Sequence, residues 1–159
     1  MILAVSGTPT TGKTAVCRLL SKKIDWKLIE LNELAKQKKY YCGFDEKRNC
    51  EIVDVDKLQK EISKIEGNLI IESHFAHEIF NDLTIILRTN PKELRERMTE
   101  RGWEGKKIEE NILAEIMEVC LSEAMELSRK VIVIDTTNKT PEDTVTEILE
   151  KIDLEPETP

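Results

Sequence analysis

The sequence predicts an α/β fold in which a parallel sheet is covered by helices on both faces. Three observations carry that prediction. Short apolar runs alternate along the chain with segments of helical periodicity. The first run ends at a glycine-rich stretch, GTPTTGKT (Gly7 to Thr14), and a helical pattern begins inside it. The chain has 159 residues, with no repeat, low-complexity tract or linker, which suits one domain around one core.

Taken in order, Ile2-Leu3-Ala4-Val5 reads as a buried strand that delivers the chain to the glycine loop. Val16, Leu19 and Leu20 recur at helical spacing, which predicts a helix from Lys13 to Lys22. Trp26 to Leu31 alternates as a second strand, and Asn32 is placed to cap a short helix starting at Glu33. Residues 38–53 (KKYYCGFDEKRNCEIV) show no period and read as a long loop, a length that compact domains usually reserve for function. Asp54 or Asp56 then opens a helix carrying Leu58, Ile62 and Ile65, which Gly67-Asn68 ends.

Leu69-Ile70-Ile71 makes the third strand and Thr84 to Leu87 the fourth. Pro91 suits the first turn of a helix running to about Arg101. Past Gly102 and a short charged stretch, one long amphipathic helix is expected, with Ile108, Ile112, Ile116, Val119 and Cys120 on a common face. Val131 to Ile134 is the fifth strand and Pro141 starts the last helix. The folded domain is placed at residues 1–152, and the tail DLEPETP is expected to fray.

Composition excludes several classes. Hydrophobic residues make up 40% and charged residues 35%, the balance of a soluble globular protein. No apolar run approaches the roughly 18 residues of a membrane span, and no signal peptide opens the chain, so a cytoplasmic protein is expected. The net charge of −7 disfavours free association with nucleic acid; it serves solubility, or complements a basic protein partner. Cys17, Cys42, Cys50 and Cys120 contain no Cys-x-x-Cys, and His74 and His77 complete no zinc pattern, so the thiols read as buried or incidental.

Gly7, Gly12, Lys13 and Thr14 satisfy G-x-x-x-x-G-K-[ST] in full. The glycines let the backbone curl so that successive N–H groups point at phosphate oxygens, and the helix adds its positive N-terminal end. Thr10, Thr11 and Ala15 complete the cradle, the Lys13 ammonium reaches the outer phosphates, and the Thr14 hydroxyl ligates Mg²⁺. After the fifth strand, Asn138-Lys139-Thr140-Pro141 lacks the aspartate of guanine-reading loops, so adenine is favoured, with ATP and Mg²⁺ as cofactors. Glu72 ends the third strand at the sheet edge where such folds bind ligands, placed to hold Mg²⁺ through water or to orient a nucleophile.

Four stretches then line up with a known family: GTPTTGKT, YYCGFDEKRNCEIVD, IIESHF and LRTNPKELRERMTERGWEGKKIEENILAEI. With these the chain resembles the adenylate kinase isoenzyme six family over nearly its whole length, from Ile2 to about Lys151. The resemblance implies the P-loop adenylate-kinase fold: a five-stranded parallel sheet flanked by helices, an acceptor-monophosphate region around residues 30–53 and a short lid around residues 100–110. It implies conversion of ATP and AMP to two ADP, some ATP hydrolysis, and binding of a basic small-subunit ribosomal protein during ribosome maturation. It also implies an ATP-contacting role for Arg101 and a functional one for His74, which would position acceptor phosphate or a lytic water; a monomer is expected.

Three departures stand out. Thr10 replaces a glycine common in the family, Lys36 an acceptor-region arginine, and Glu72-Ser73-His74 an Asp-x-His. Lys106 and Lys107 are candidate lid cations, or a solvated turn, and Trp103 an anchor for that lid. Arg88 is a weaker candidate for acceptor phosphate, whereas Arg95 and Arg97 read as surface partners of Glu93, Glu96 or Glu100. Tyr40, Tyr41 and Phe44 line a pocket or present a binding patch, and His77 is given no role. Besides the AMP kinase, an assembly ATPase and a small-metabolite kinase remain open.

Overall fold

A computed structural model describes residues 1–153; the remainder of the tail expected to fray lies outside the described residues. The elements are β1 (Ile2–Ser6), α1 (Lys13–Ile24), β2 (Lys27–Glu30), α2 (Leu31–Lys38), β3 (Tyr41–Asp45) and β4 (Cys50–Val53). There follow α3 (Val55–Ser63), β5 (Leu69–Glu72), a 3₁₀ turn (Ala76–Glu78), β6 (Leu83–Arg88) and α4 (Pro91–Glu100). The chain continues through α5 (Gly105–Ile116), α6 (Val119–Leu127), β7 (Val131–Asp135) and α7 (Pro141–Asp153).

Five strands form one parallel sheet in the order β2-β5-β1-β6-β7. Alternation along the central strand β1 divides the core. Leu3 and Val5 face one layer, with Leu20 of α1 and Ile148 of α7, while Ala4 faces the other, with Leu31 of α2 and Leu58 of α3. Each fully buried aliphatic side chain contributes roughly 1.5–3 kcal/mol relative to exposure, so both faces of β1 are held. Its register sets Val5 beside Glu72 of β5 and Ser6 beside Ile86 of β6, which fixes where the glycine loop leaves the sheet.

Four expectations need correction. Residues 38–53 contain an antiparallel hairpin, β3 with β4, turned where the Asp45 carboxylate accepts from the N–H groups of Lys47 and Arg48 and Asn49 takes φ 51°. Most of its residues are exposed, so no alternation of apolar and polar side chains marked the strands. At its turn, Arg48 lies 3.9 Å from Glu110 of α5. Asn32 caps nothing: α2 starts at Leu31 directly from β2, with Glu30 at the cap position. α3 ends at Ser63, before Gly67-Asn68. The long helix is two helices, broken at Glu118 with φ 55°, so Ile116 and Val119 are exposed and share no buried face with Ile108 and Ile112. The break brings both Glu115 and Glu118 to Arg88.

Lys39 ends α2 in the left-handed conformation, φ 56°, ψ 43°, its N–H bonded to Ala35 O. That conformation suits glycine. Lys39→Gly is expected to stabilise the protein by about 0.5–1 kcal/mol, read as a raised denaturant midpoint at constant slope.

Candidate active site

The phosphate loop depends on one close approach. Gly7, at φ 149°, passes so near β6 that a Cβ there would lie 2.6 Å from the Leu87 carbonyl oxygen. Thr11 then closes the turn through its N–H and hydroxyl, both donating to Thr8 O, and Gly12 caps α1 at φ 94°. Thr10 carries φ 70° between them. Lys13 is buried and folds over its own loop, Nζ donating to Gly7 O at 2.9 Å and Thr8 O at 3.0 Å. Burial lowers its pKa, against the opposing pull of Glu72.

A cleft of about 390 Å³ opens over this loop, within the range of small-molecule sites. Thr10, Gly12, Lys13, Thr14 and Ala15 form one wall, and Glu72, His74 and Arg101 come to it from β5, the segment after β5 and the end of α4. Gly7 and Thr11 lie beneath the cleft rather than on it. Glu72 is almost fully buried, and the Thr14 hydroxyl donates to its Oε2 at 3.4 Å. Burial raises the Glu72 pKa, Lys13 opposes the rise and the neighbouring Glu30 adds to it. A hydroxyl and a carboxylate side by side are hard oxygen donors of the kind Mg²⁺ prefers. Among the described residues no group of three or more His, Cys, Asp or Glu could hold a metal, so these two oxygens fit an ion shared with phosphates and water.

His74 stands edge-on to the Phe75 ring. Desolvation by the surrounding protein, then the charge of Lys13, lower its pKa to about 4, so the imidazole is neutral at pH 7. Arg88, the weaker acceptor candidate, does not line this cleft and pairs with buried Glu115 and with Glu118. Arg95 crosses to Glu109 of α5 instead of pairing within α4. Arg97 does pair with Glu93, at 3.4 Å, but also donates to Thr10 O. Trp103 packs on Leu94, Met98, Ile108 and Ile112 and carries Lys107 Nζ 3.8 Å from its ring centre; it anchors α4 to α5. Lys106 and Lys107 do not line the cleft. Tyr40 and Tyr41 pack on the core, with the Tyr40 hydroxyl donating to Glu61, while Phe44 is exposed. All four cysteines are free; Cys17 is buried, but Cys42 and Cys50 are exposed on the hairpin.

Sequence reasoning missed several residues here. Arg18 and Asn32 also line the cleft, and Arg18 pairs with Glu30 at 2.9 Å. Arg18 is legible in hindsight, because it sits four residues after Thr14 on the same helix face. Exposed Lys36 does not line the cleft. His77 is buried between Ser6 and Glu123: its Nδ1 lies 2.7 Å from Ser6 Oγ and its Nε2 2.7 Å from Glu123 Oε2. A proton on Nε2 donates to the carboxylate and leaves Nδ1 to accept from Ser6, which satisfies all three groups. Nothing in the local sequence around His77 signals contacts so remote.

A strand-loop-helix phosphate cradle at the edge of a five-stranded parallel sheet, with a carboxylate from the adjoining strand, defines a P-loop fold of the kind used by small kinases. Solved structures share it. A deoxyadenosine kinase from M. mycoides, bound to dCMP and dCDP, superposes with TM-score 0.64 at 18% identity over 98% of this chain and all of that one. A shikimate kinase from Bacteroides thetaiotaomicron gives 0.62 at 13% identity, over 96% of this chain and 98% of that one. The AAA domain family model matches residues 3–118. Proteins bearing the name "Putative adenylate kinase" from Methanosarcina acetivorans and Thermococcus gammatolerans are each 41% identical, over 96% of this chain and 87% and 86% of theirs. The chain belongs to this archaeal adenylate kinase family.

Replacing His77 by leucine is expected to destabilise the protein by about 2–3 kcal/mol, because Ser6 loses its buried partner. Chemical denaturation checks this, and Glu123→Gln should cost less, since an amide can still accept from Nε2.

Proposed function

We propose that the cleft transfers the terminal phosphoryl group of ATP to AMP, giving two ADP. The observation that carries this reading is the convergence of Lys13, Thr14 and Glu72 at one end of the cleft, in a chain 41% identical to proteins bearing an adenylate kinase name. In the reaction the bond from the γ-phosphorus to the ADP leaving oxygen breaks, and one forms to a phosphate oxygen of AMP. Transfer of this kind needs alignment and neutralisation of charge more than covalent help from the protein.

The loop N–H groups hold the β- and γ-phosphates, and Lys13 swings from the carbonyls of Gly7 and Thr8 to the bridging side. Mg²⁺, held by Thr14 and through water by Glu72, would screen charge between the phosphates. Arg101, in the lid proposed at residues 100–110, adds positive charge at the cleft mouth. AMP enters over the acceptor region at residues 30–53, which contains the hairpin and leads from Asn32 and the Arg18–Glu30 pair. Neutral His74 faces the same space without repelling Arg101 or competing with Lys13 for phosphate.

A second reading is favoured by Glu72 and His74 on one wall: the pair can orient a water, so ATP hydrolysis proceeds slowly when AMP is absent. The family resemblance extends this to a role in small-subunit ribosome maturation, where the net charge of −7 would complement a basic ribosomal protein. Retention of such a protein on the immobilised chain should change between ADP and ATP; equal retention of unrelated basic proteins would dismiss that role.

ADP and inorganic phosphate are measured together, with ATP and Mg²⁺, with and without AMP. ADP formation should rise at least tenfold with AMP and leave little phosphate, while Lys13→Ala abolishes both signals. Phosphate released in step with ADP, indifferent to AMP, would replace the kinase reading with the ATPase. Glu72→Gln is expected to lower kcat by about 10²–10³ with a smaller effect on KM for ATP.

A further inference from the structure

Arg97 of α4 does more than pair along its helix. Its Nη1 donates to the Thr10 carbonyl at 3.0 Å, while Nη2 lies 3.4 Å from Glu93 Oε1. Glu93 in turn accepts from the Asn138 N–H at 3.1 Å, in the loop that follows β7. One guanidinium–carboxylate pair therefore ties together the phosphate loop, α4 and the loop after β7. From that last loop, Thr136 Oγ1 also lies 3.2 Å from the next carbonyl, that of Thr11.

Thr10 is where the loop needs holding. It is β-branched and buried, at φ 70°, in a region that L residues with branched side chains avoid. Its Oγ1 has no hydrogen-bond partner among the described residues. With the Thr10 carbonyl turned outward to a cation, the N–H groups that follow are left to point into the cleft.

We propose that Arg97 is a positioning residue: by capping the Thr10 carbonyl it keeps the phosphate loop in its anion-accepting shape, and through Glu93 it fixes the loop after β7 beside it. The inference rests on the reading that this loop binds ATP phosphates, and it is independent of the acceptor. It differs from a surface ion pair, which would leave nucleotide binding unchanged, and from a direct contact between Arg97 and the nucleotide.

Titration calorimetry of MgATP on four proteins separates these cases: the parent, R97Q, T10G and the double variant. R97Q should weaken MgATP about tenfold, about 1.4 kcal/mol. In the T10G background the same change should cost under about twofold, because glycine takes φ 70° without strain. R97K, which keeps a donor within reach of the carbonyl, should lose less than R97Q, and circular dichroism on each variant verifies the fold. Equal losses in both backgrounds would mean that Arg97 touches the nucleotide itself, and no loss in either would leave only a surface pair; both overturn the proposal. A parent that binds no MgATP overturns it together with the proposed function. A parent that binds MgATP without making ADP from AMP overturns the proposed function alone.

Discussion

The approach of Gly7 to the Leu87 carbonyl is the constraint on which the site is built. It is possible because β1 is the central strand, with β6 hydrogen-bonded along one edge and β5 along the other. The backbone can turn over the end of β6 only where no Cβ intervenes, and from there the direction of α1 follows. The same register brings Glu72 level with Val5 on β5, so the carboxylate stands beside the loop without any device of its own. The core layers on either side of β1 serve the site by keeping this strand where it is.

The ionisable groups of the interior stand in small sets rather than alone. Lys13 and Glu72 stand close to the loop, each disfavoured by burial and each partly relieved by the other. Arg88 pairs with Glu115, and Ser6, His77 and Glu123 form a hydrogen-bonded chain. Removing one member of such a set leaves its partner without compensation, which is why buried pairs are intolerant of single changes even where their net contribution is small. At the centre stands Lys13, whose partners are the Gly7 and Thr8 carbonyls, which in the proposed reaction it leaves for phosphate.

Much of this was legible from the chain. The strands of the parallel sheet are apolar runs because both of their faces are covered, and the G-x-x-x-x-G-K-T spacing located the cleft and its main wall. The hairpin was not legible, since strands exposed on both faces carry no alternation. The break at Glu118 was hidden as well: the partner it meets there, Arg88, lies thirty positions away, and local periodicity knows nothing of such a partner. Arg97 read as half of an i, i+4 pair, and that pair exists, but its second bond runs to a loop near the other end of the chain. Long-range hydrogen bonds of this kind, including those of His77, are set by packing and leave no mark in neighbouring residues.

The hairpin bears on the proposed acceptor region through its stability. Its strands pair only with each other, and its turn reaches the rest of the fold through the exposed Arg48–Glu110 contact. A two-stranded ribbon of that kind has little independent stability, and its amide protons should exchange with solvent long before those of the parallel sheet. The ribbon, tied to the core at its base by Tyr41 and Val53, is thus held less firmly than the sheet and phosphate loop. Mutations can reshape the ribbon, lengthen its turn or alter its charge while the sheet and phosphate loop keep their free energy of folding, so, with the acceptor placed there as proposed, acceptor range can drift in a lineage whose phosphate loop stays fixed.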